Sequence, residues 1–181
     1  MTETQFLLVR HGQTVWNNQG RLQGMQDSPL TAQGIADAEA VAARLRQEPF
    51  PAVYTSDLKR AYRTAQVIAQ TSEVALIEDE RLRETNNGIF EGKTRVEAAA
   101  EHPEIFAVYA QRLPDYALPG GESRRSVQQR AVGFFTARAR ANPGDRLVAV
   151  SHGGLLSAFF CAVLGLPGCD PEFTVIEKRH G

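Results

Sequence analysis

Four short apolar runs recur along the chain, each handing over at its end to polar or glycine-rich residues: Phe6–Val9, Ala52–Thr55, Val74–Ile77 and Leu147–Val150. None alternates with polar residues, as expected of strands buried on both faces in a parallel sheet. Between the runs the spacing becomes helical. Ala36, Ala40, Val41 and Leu45 fall on one face of a helix capped by Thr31 and running to about Arg46, with Pro49 and Pro51 ending it. Ser56 or Asp57 is the expected cap of a second helix to about Gln70, with Ala61, Ala65 and Ile68 inward. Two short helices split at Pro103 follow, then one from Ser123 to Ala141, stopped by Asn142-Pro143-Gly144, and an apolar one over Leu155–Leu164. A last strand is expected at Phe173–Glu177. Strands alternating with helices predict an α/β protein, a three-layer α/β/α sandwich with a mostly parallel central sheet.

Two stretches resist this rhythm. Residues 10–30, rich in Gly, Asn, Gln and Ser, read as a long ordered loop, and residues 82–93 as an irregular one. Loops of that length are usually functional. No repeat or linker divides the chain, so residues 1–181 read as one domain. With 43% hydrophobic and 23% charged residues, it has the material for a core without staples. A net charge of −1 argues against non-specific binding to nucleic acid or a membrane surface. The apolar segment Gly154–Pro167 is shorter than the roughly 20 residues a bilayer span needs, and the first residues lack a leader's basic region. A cytoplasmic setting is expected. Cys161 and Cys169 fit neither a CxxC pair nor a zinc site and are expected to be free thiols.

Chemistry concentrates where strands end, because ligands of open α/β sheets bind beyond the carboxyl edge. Arg10-His11-Gly12 ends the first run and Ser151-His152-Gly153-Gly154 the fourth. A neutral imidazole is a competent nucleophile toward phosphorus. A guanidinium beside it grips a tetrahedral oxyanion with two donors, and glycine lets the backbone approach a ligand closely. Arg60, in the first turn after the second run, can reach back to the same edge, and Glu84 is a candidate general acid and base. His102 and His180 complete the histidines, and no HxH, HExxH or DxD pattern offers a metal site. No metal or other cofactor is expected.

The order of these motifs resembles the histidine phosphatase superfamily, the phosphoglycerate mutase-like proteins. Arg10-His11-Gly12 with Trp16-Asn17, Gly24, Leu30-Thr31, Gly34 and Ala38 is similar to its opening block. Ser56-Asp57-Leu58-x-Arg60-Ala61-x-x-Thr64-Ala65 is similar to the second, Leu82-x-Glu84-x-x-x-Gly88-x-Phe90-Glu91-Gly92 to the third, and Ser151-His152-Gly153-Gly154 to the fourth. The resemblance implies the phosphoglycerate mutase-like fold and a phosphohistidine at His11. It also implies a phosphoryl pocket of Arg10, Arg60 and His152 joined by Asn17, with Gln23, Gly24 and Gly153 bordering the substrate. Glu84 would protonate the leaving alcohol and then activate water.

Within that resemblance, the expected activity is metal-independent hydrolysis of a small phosphorylated metabolite. The alternatives are phosphoryl transfer of the cofactor-dependent phosphoglycerate mutase type and an inactive binding module on the same fold. The third block reads Arg83-Glu84-Thr85-Asn86-Asn87-Gly88, without the basic insertion of the mutases, which favours hydrolysis. Intact Arg10, His11, Arg60, Glu84 and His152 argue against the inactive module. A lid is expected from about residues 93–122, carrying Phe106, Tyr109, Tyr116 and Leu118 and the cations Lys93, Arg95 and Arg112. Aromatic residues facing the site would suit an apolar leaving group, and cations a second phosphate or a carboxylate. The chain closes soon after the expected last strand, earlier than the family pattern, as a minimal member or a truncated piece would. Its oligomeric state is not legible, a homodimer included.

Overall fold

The apolar runs pair into one sheet in the computed structural model, which describes residues 3–166. The elements are β1 (Gln5–Arg10), α1 (Val15–Asn18), α2 (Ala32–Leu45), β2 (Ala52–Thr55), α3 (Lys59–Ser72) and β3 (Ala75–Glu78), then α4 (Arg95–Glu101), α5 (Pro103–Ala110), α6 (Arg124–Ala141), β4 (Arg146–Ser151) and α7 (Gly153–Leu164). Single 3-10 turns lie at Glu80–Leu82 and Gly88–Phe90. The strand order is β1-β4-β2-β3, and each pairing is parallel. Arg10 pairs with Ser151 and Thr55 with Val150, so β1, β4 and β2 release the chain at one edge. The strand expected at Phe173–Glu177 lies outside the described residues.

Side chains alternate across this sheet and define the three layers. Leu147 and Ala149 of β4 join Tyr54 and the α6 and α7 residues Val127, Phe134, Phe135 and Leu155 on one face. Val148 and Val150 join Val53, Ala42 and Leu45 of α2, and Ala61, Ala65 and Ile68 of α3, on the other. The fully buried Phe134 ring meets Tyr54 edge-on at 5.8 Å and Phe135 at 5.0 Å. Truncating such a ring to alanine costs about 3–5 kcal/mol. A satellite core of Phe90, Ala98 and Leu118, bordered by Phe106, Tyr109 and Tyr116, anchors residues 93–122.

Four local expectations need correction. The loop after β1 contains the single turn α1, closed by a Thr14/Asn17 capping box. Helix α3 starts at Lys59, and neither Ser56 nor Asp57 caps it. Its first N–H groups are instead satisfied by Asp27, whose carboxylate accepts from Lys59 N at 2.9 Å and Arg60 N at 3.3 Å. Helix α7 begins two residues early, at Gly153. Cys161 is disulfide-bonded rather than a free thiol; Cys169 lies outside the described residues. Among the described residues no helix is long and apolar enough to cross a membrane.

Candidate active site

The register of β1 on β4 carries His11 and His152 to one edge. His11 N extends the ladder by donating to Ser151 O at 2.9 Å. Gly12 N then donates to Thr64 Oγ1 at 3.0 Å, and Thr64 Oγ1 donates to Arg60 O at 2.9 Å, tying the first motif to α3. Gly12 is required by space. A Cβ there would overlap the Gly34 carbonyl oxygen and lie 2.9 Å from its carbon, so a side chain would push the loop off α2.

His11 is 7% exposed. Its Nδ1 lies 2.8 Å from Gly12 O, which assigns the proton to Nδ1 and leaves Nε2 with an unprotonated lone pair. Burial, aided by the charges of Arg60 and Arg10 and opposed by the bond to Gly12 O, pushes its pKa down to about 3. The imidazole is therefore neutral at ordinary pH.

The His152 ring stands 5.1 Å from that of His11, tilted by 57°. It is fully buried, and among the described residues neither ring nitrogen has a hydrogen-bond partner. Burial lowers its pKa well below the usual histidine value, with further depression from His11, Arg60, Arg130 and Arg10. A buried polar ring without a partner costs stability, and an anion is the species that would both hydrogen-bond it and favour its protonation.

Arg60 is almost wholly buried and doubly engaged. Nη1 donates to Gln26 O at 2.6 Å and Asp27 Oδ1 at 2.8 Å, and Nη2 to Gly24 O at 2.7 Å, while Nε is buried without a partner. The guanidinium thus fastens the loop from Gly24 to Asp27 to the start of α3. Arg10 lies beside the start of α7, where a Cβ on Gly153 would sit 3.4 Å from its Nε.

Glu84 closes the other side. Its Oε1 accepts from Thr85 N at 2.8 Å and Leu155 N at 3.2 Å, and its Oε2 from Gly154 N at 3.1 Å. The N-terminus of α7 therefore holds this carboxylate through the N–H groups of Gly154 and Leu155. The segment carrying Glu84 is clamped from behind. Ser151 Oγ donates to Leu82 O at 2.7 Å. Arg130 of α6 donates to the carbonyls of Arg81, Arg83 and Glu84 at 3.0, 2.6 and 2.8 Å. Glu122 bonds Arg130 Nη2 at 2.6 Å and accepts from Asn86 N at 2.9 Å.

The fold thus gathers Arg10, His11, Arg60, Glu84, His152 and Gly153 around one edge. Gln23 is buried with Oε1 unpartnered, and Gly24 carries the carbonyl that Arg60 binds. Asn17 sits in the cap of α1, where its Oδ1 accepts from Thr14 N and Thr14 Oγ1, both at 3.0 Å. Sequence reasoning missed Asp27, Glu122 and Arg130. The turn before α6, Gly120-Gly121-Glu122-Ser123, was the only local signal near any of them.

Known proteins resemble this chain in sequence and in fold. A sequence model of the histidine phosphatase superfamily (branch 1) matches residues 6–175. A Cronobacter sakazakii protein named "Probable phosphoglycerate mutase GpmB" is 40% identical over 163 residues, covering 90% of this chain and 76% of its own. The metal-independent phosphoserine phosphatase of Arabidopsis thaliana is 39% identical over 165 residues, covering 88% of this chain and 68% of its own. The solved structure of Bacillus stearothermophilus YhfR superposes with a TM-score of 0.85 at 37% identity, covering 91% of this chain and 82% of its own.

Proposed function

We propose, because this chain belongs to the histidine phosphatase superfamily (branch 1), that it is a metal-independent phosphatase acting in the cytoplasm on a small phosphorylated metabolite. The observation that carries this reading is the pair of neutral imidazoles at adjacent strand ends, one with Nε2 left as a lone pair and the other with both nitrogens unpartnered.

In this reading His11 Nε2 attacks phosphorus in line. The P–O bond to the leaving alcohol breaks as the P–N bond forms, and the alcohol oxygen takes a proton from the Glu84 carboxyl. Water then gives a proton to the Glu84 carboxylate as it attacks the phosphohistidine, and inorganic phosphate leaves with the P–N electron pair returned to His11. Arg10, Arg60 through Nε, and His152 face the phosphoryl oxygens, with Asn17 reaching from its cap. Phosphoryl transfer asks mainly for positioning and charge stabilisation, which fixed cations and a clamped carboxyl supply. Gln23, Gly24 and Gly153 border the substrate.

The test is hydrolysis of p-nitrophenyl phosphate with and without EDTA, together with trapping of the phosphoenzyme. Turnover indifferent to chelation and an acid-labile, alkali-stable label absent from His11→Ala are expected. A label retained by that variant would move the nucleophile elsewhere, and strict dependence on added metal would overturn the mechanism. Incubation with 3-phosphoglycerate, with and without 2,3-bisphosphoglycerate, separates the two phosphoryl chemistries: phosphate release is expected, and net isomerisation would establish a mutase.

A further inference from the structure

Glu91 has no part in the phosphatase chemistry, yet it lies where the two loops of the edge meet. A short backbone ladder brings it there. Gly92 N donates to Leu22 O at 2.7 Å, and Leu22 N donates to Lys93 O at 2.9 Å. Arg21 Nη1 adds a bond to Gly92 O at 2.7 Å. The loop after β1 is thus laced to the segment that follows Glu84, and Glu91 is carried against Gly24. Its Oε1 accepts from Met25 N at 2.8 Å and from Asn87 N at 3.1 Å. One carboxylate oxygen therefore bridges the loop that Arg60 binds and the segment that bears Glu84.

Gly24 and Glu91 are fitted to each other. Gly24 is left-handed at φ 55°, a conformation that glycine adopts without a steric cost. A Cβ there would overlap Glu91 Oε1 and lie 2.9 Å from Cγ, so the Glu91 side chain fills the space a side chain at position 24 would need. The N–H of Met25 and the carbonyl of Gly24 belong to one peptide group. Glu91 holds the N–H, and Arg60 Nη2 donates to the carbonyl at 2.7 Å. A peptide group is planar and stiff, so fixing its N–H also fixes the direction of its carbonyl. The aim of that carbonyl in turn constrains the guanidinium of Arg60, whose Nε is buried and has no partner among the described residues. The other contact of Glu91 carries less. The segment around Asn87 has anchors of its own, because Glu122 accepts from Asn86 N at 2.9 Å and Arg130 donates to Glu84 O at 2.8 Å.

We propose that Glu91 is a positioning residue for the phosphoryl end of the site: through the Gly24–Met25 peptide it sets the orientation of Arg60, and so the aim of Arg60 Nε at the phosphoryl oxygens. The inference rests on the phosphatase reading of the same edge. Glu91 touches neither substrate nor the reacting atoms in this scheme. Its effect reaches the part that all phosphate esters share, and it reaches inorganic phosphate equally.

Two substitutions of similar bulk test it. Glu91→Gln keeps an oxygen that can accept from both N–H groups, whereas Glu91→Met fills the space without such an acceptor. The readout is the constant for competitive inhibition of p-nitrophenyl phosphate hydrolysis by inorganic phosphate, which does not depend on how much of the sample is folded. Glu91→Met should weaken phosphate roughly 10-fold, near the lower end of what a lost charge-assisted hydrogen bond is worth, and Glu91→Gln by no more than about 3-fold. In Glu91→Met, kcat/KM should fall by the same factor for p-nitrophenyl phosphate and glycerol 3-phosphate. If Glu91→Met does not fold, Gly24→Ala, which drives the carboxylate off Met25 N, carries the same expectation. An unchanged phosphate constant, with p-nitrophenyl phosphate still hydrolysed, would overturn the role of Glu91 and leave the phosphatase standing. A loss in Glu91→Gln as large as in Glu91→Met would also overturn it, because the acceptor would then not be what matters. A much larger loss on glycerol 3-phosphate than on p-nitrophenyl phosphate would place the effect at Glu84, against the proposal. No hydrolysis and no phosphohistidine in the wild type would remove the phosphatase reading and this inference with it.

Discussion

Arg130 donates to the main-chain carbonyl of Glu84 at 2.8 Å, while the Glu84 carboxylate accepts from Gly154 N at 3.1 Å and Leu155 N at 3.2 Å. The candidate acid is thus held at both ends, its backbone by α6 and its side chain by α7. A residue on an irregular segment acquires the fixity of two helices, which a proton donor aimed at one oxygen needs.

The clamp itself is testable at Glu122, which bonds Arg130 through both carboxylate oxygens, at 2.6 and 3.2 Å, with both side chains mostly buried. Glu122→Gln keeps the shape but turns one acceptor into a donor facing a guanidinium. A stability loss of about 1–3 kcal/mol is expected in urea unfolding, with a lower kcat as the Glu84 segment loosens. Glu122→Ala, which strands the buried Arg130 charge, should cost about 3–5 kcal/mol. Equal unfolding midpoints for wild type and Glu122→Gln would mean that the clamp contributes nothing.

Gly154→Ala should separate positioning from folding. A methyl there would overlap Glu84 Oε1 and lie 2.7 Å from Thr85 Oγ1, so the carboxyl must move. An alkyl phosphate, whose departing alkoxide needs the proton, should lose about 100-fold or more in kcat. p-Nitrophenyl phosphate, with a good leaving group, should lose far less. An equal loss on both esters would show that the substitution damages more than proton donation.

The two histidines make stability depend on pH. His11 titrates at about 3 in the folded protein against 6.5 in the unfolded chain, and His152 is shifted in the same direction. Below about pH 6.5 the unfolded state therefore binds more protons than the folded state. Their contribution is complete above that pH and is lost as pH falls toward the folded values, by up to about 1.4 kcal/mol per pH unit for each histidine. Urea midpoints of the wild type should fall between pH 7 and pH 5 more steeply than those of His152→Asn. A variant with the wild-type slope would falsify the linkage at His152.

What could be read in advance was local. Leu147–Val150 announces a strand by its own composition, and His152 sits at its end by sequence adjacency, so both histidines were legible before any fold was known. Helix α6, expected from Ser123 to Ala141, was legible for the same reason, although Ser123 is its cap and not its first residue. The partners of the site were not. Asp27 caps α3 across a loop, and Arg130 reaches Glu84 from another layer of the sandwich. Such pairings follow from tertiary contact, which no spacing encodes, and 17 arginines offer too many candidates. Arg95 and Arg112 could be named from sequence, but the direction in which they point depends on how α4 and α5 pack around Phe90.

The pairing of Asp27 with Arg60 joins the loop after β1 to the start of α3. Asp27 Oδ1 accepts from Arg60 Nη1 at 2.8 Å, and its Oδ2 accepts from Lys59 N at 2.9 Å, so one carboxylate both orients the buried guanidinium and caps α3. Asp27→Asn keeps a single acceptor oxygen for these duties, and a loss of about 1–3 kcal/mol is expected from the weakened bond to the buried guanidinium. In the proposed phosphoryl role of Arg60, the change reaches the part common to all substrates, so kcat/KM should fall by a similar factor for every phosphomonoester. Kinetics of Asp27→Asn and the wild type on 3-phosphoglycerate and glycerol 3-phosphate decide it. If the two esters lose markedly different factors, Arg60 acts on the leaving group as well, and its assignment to the phosphoryl end falls.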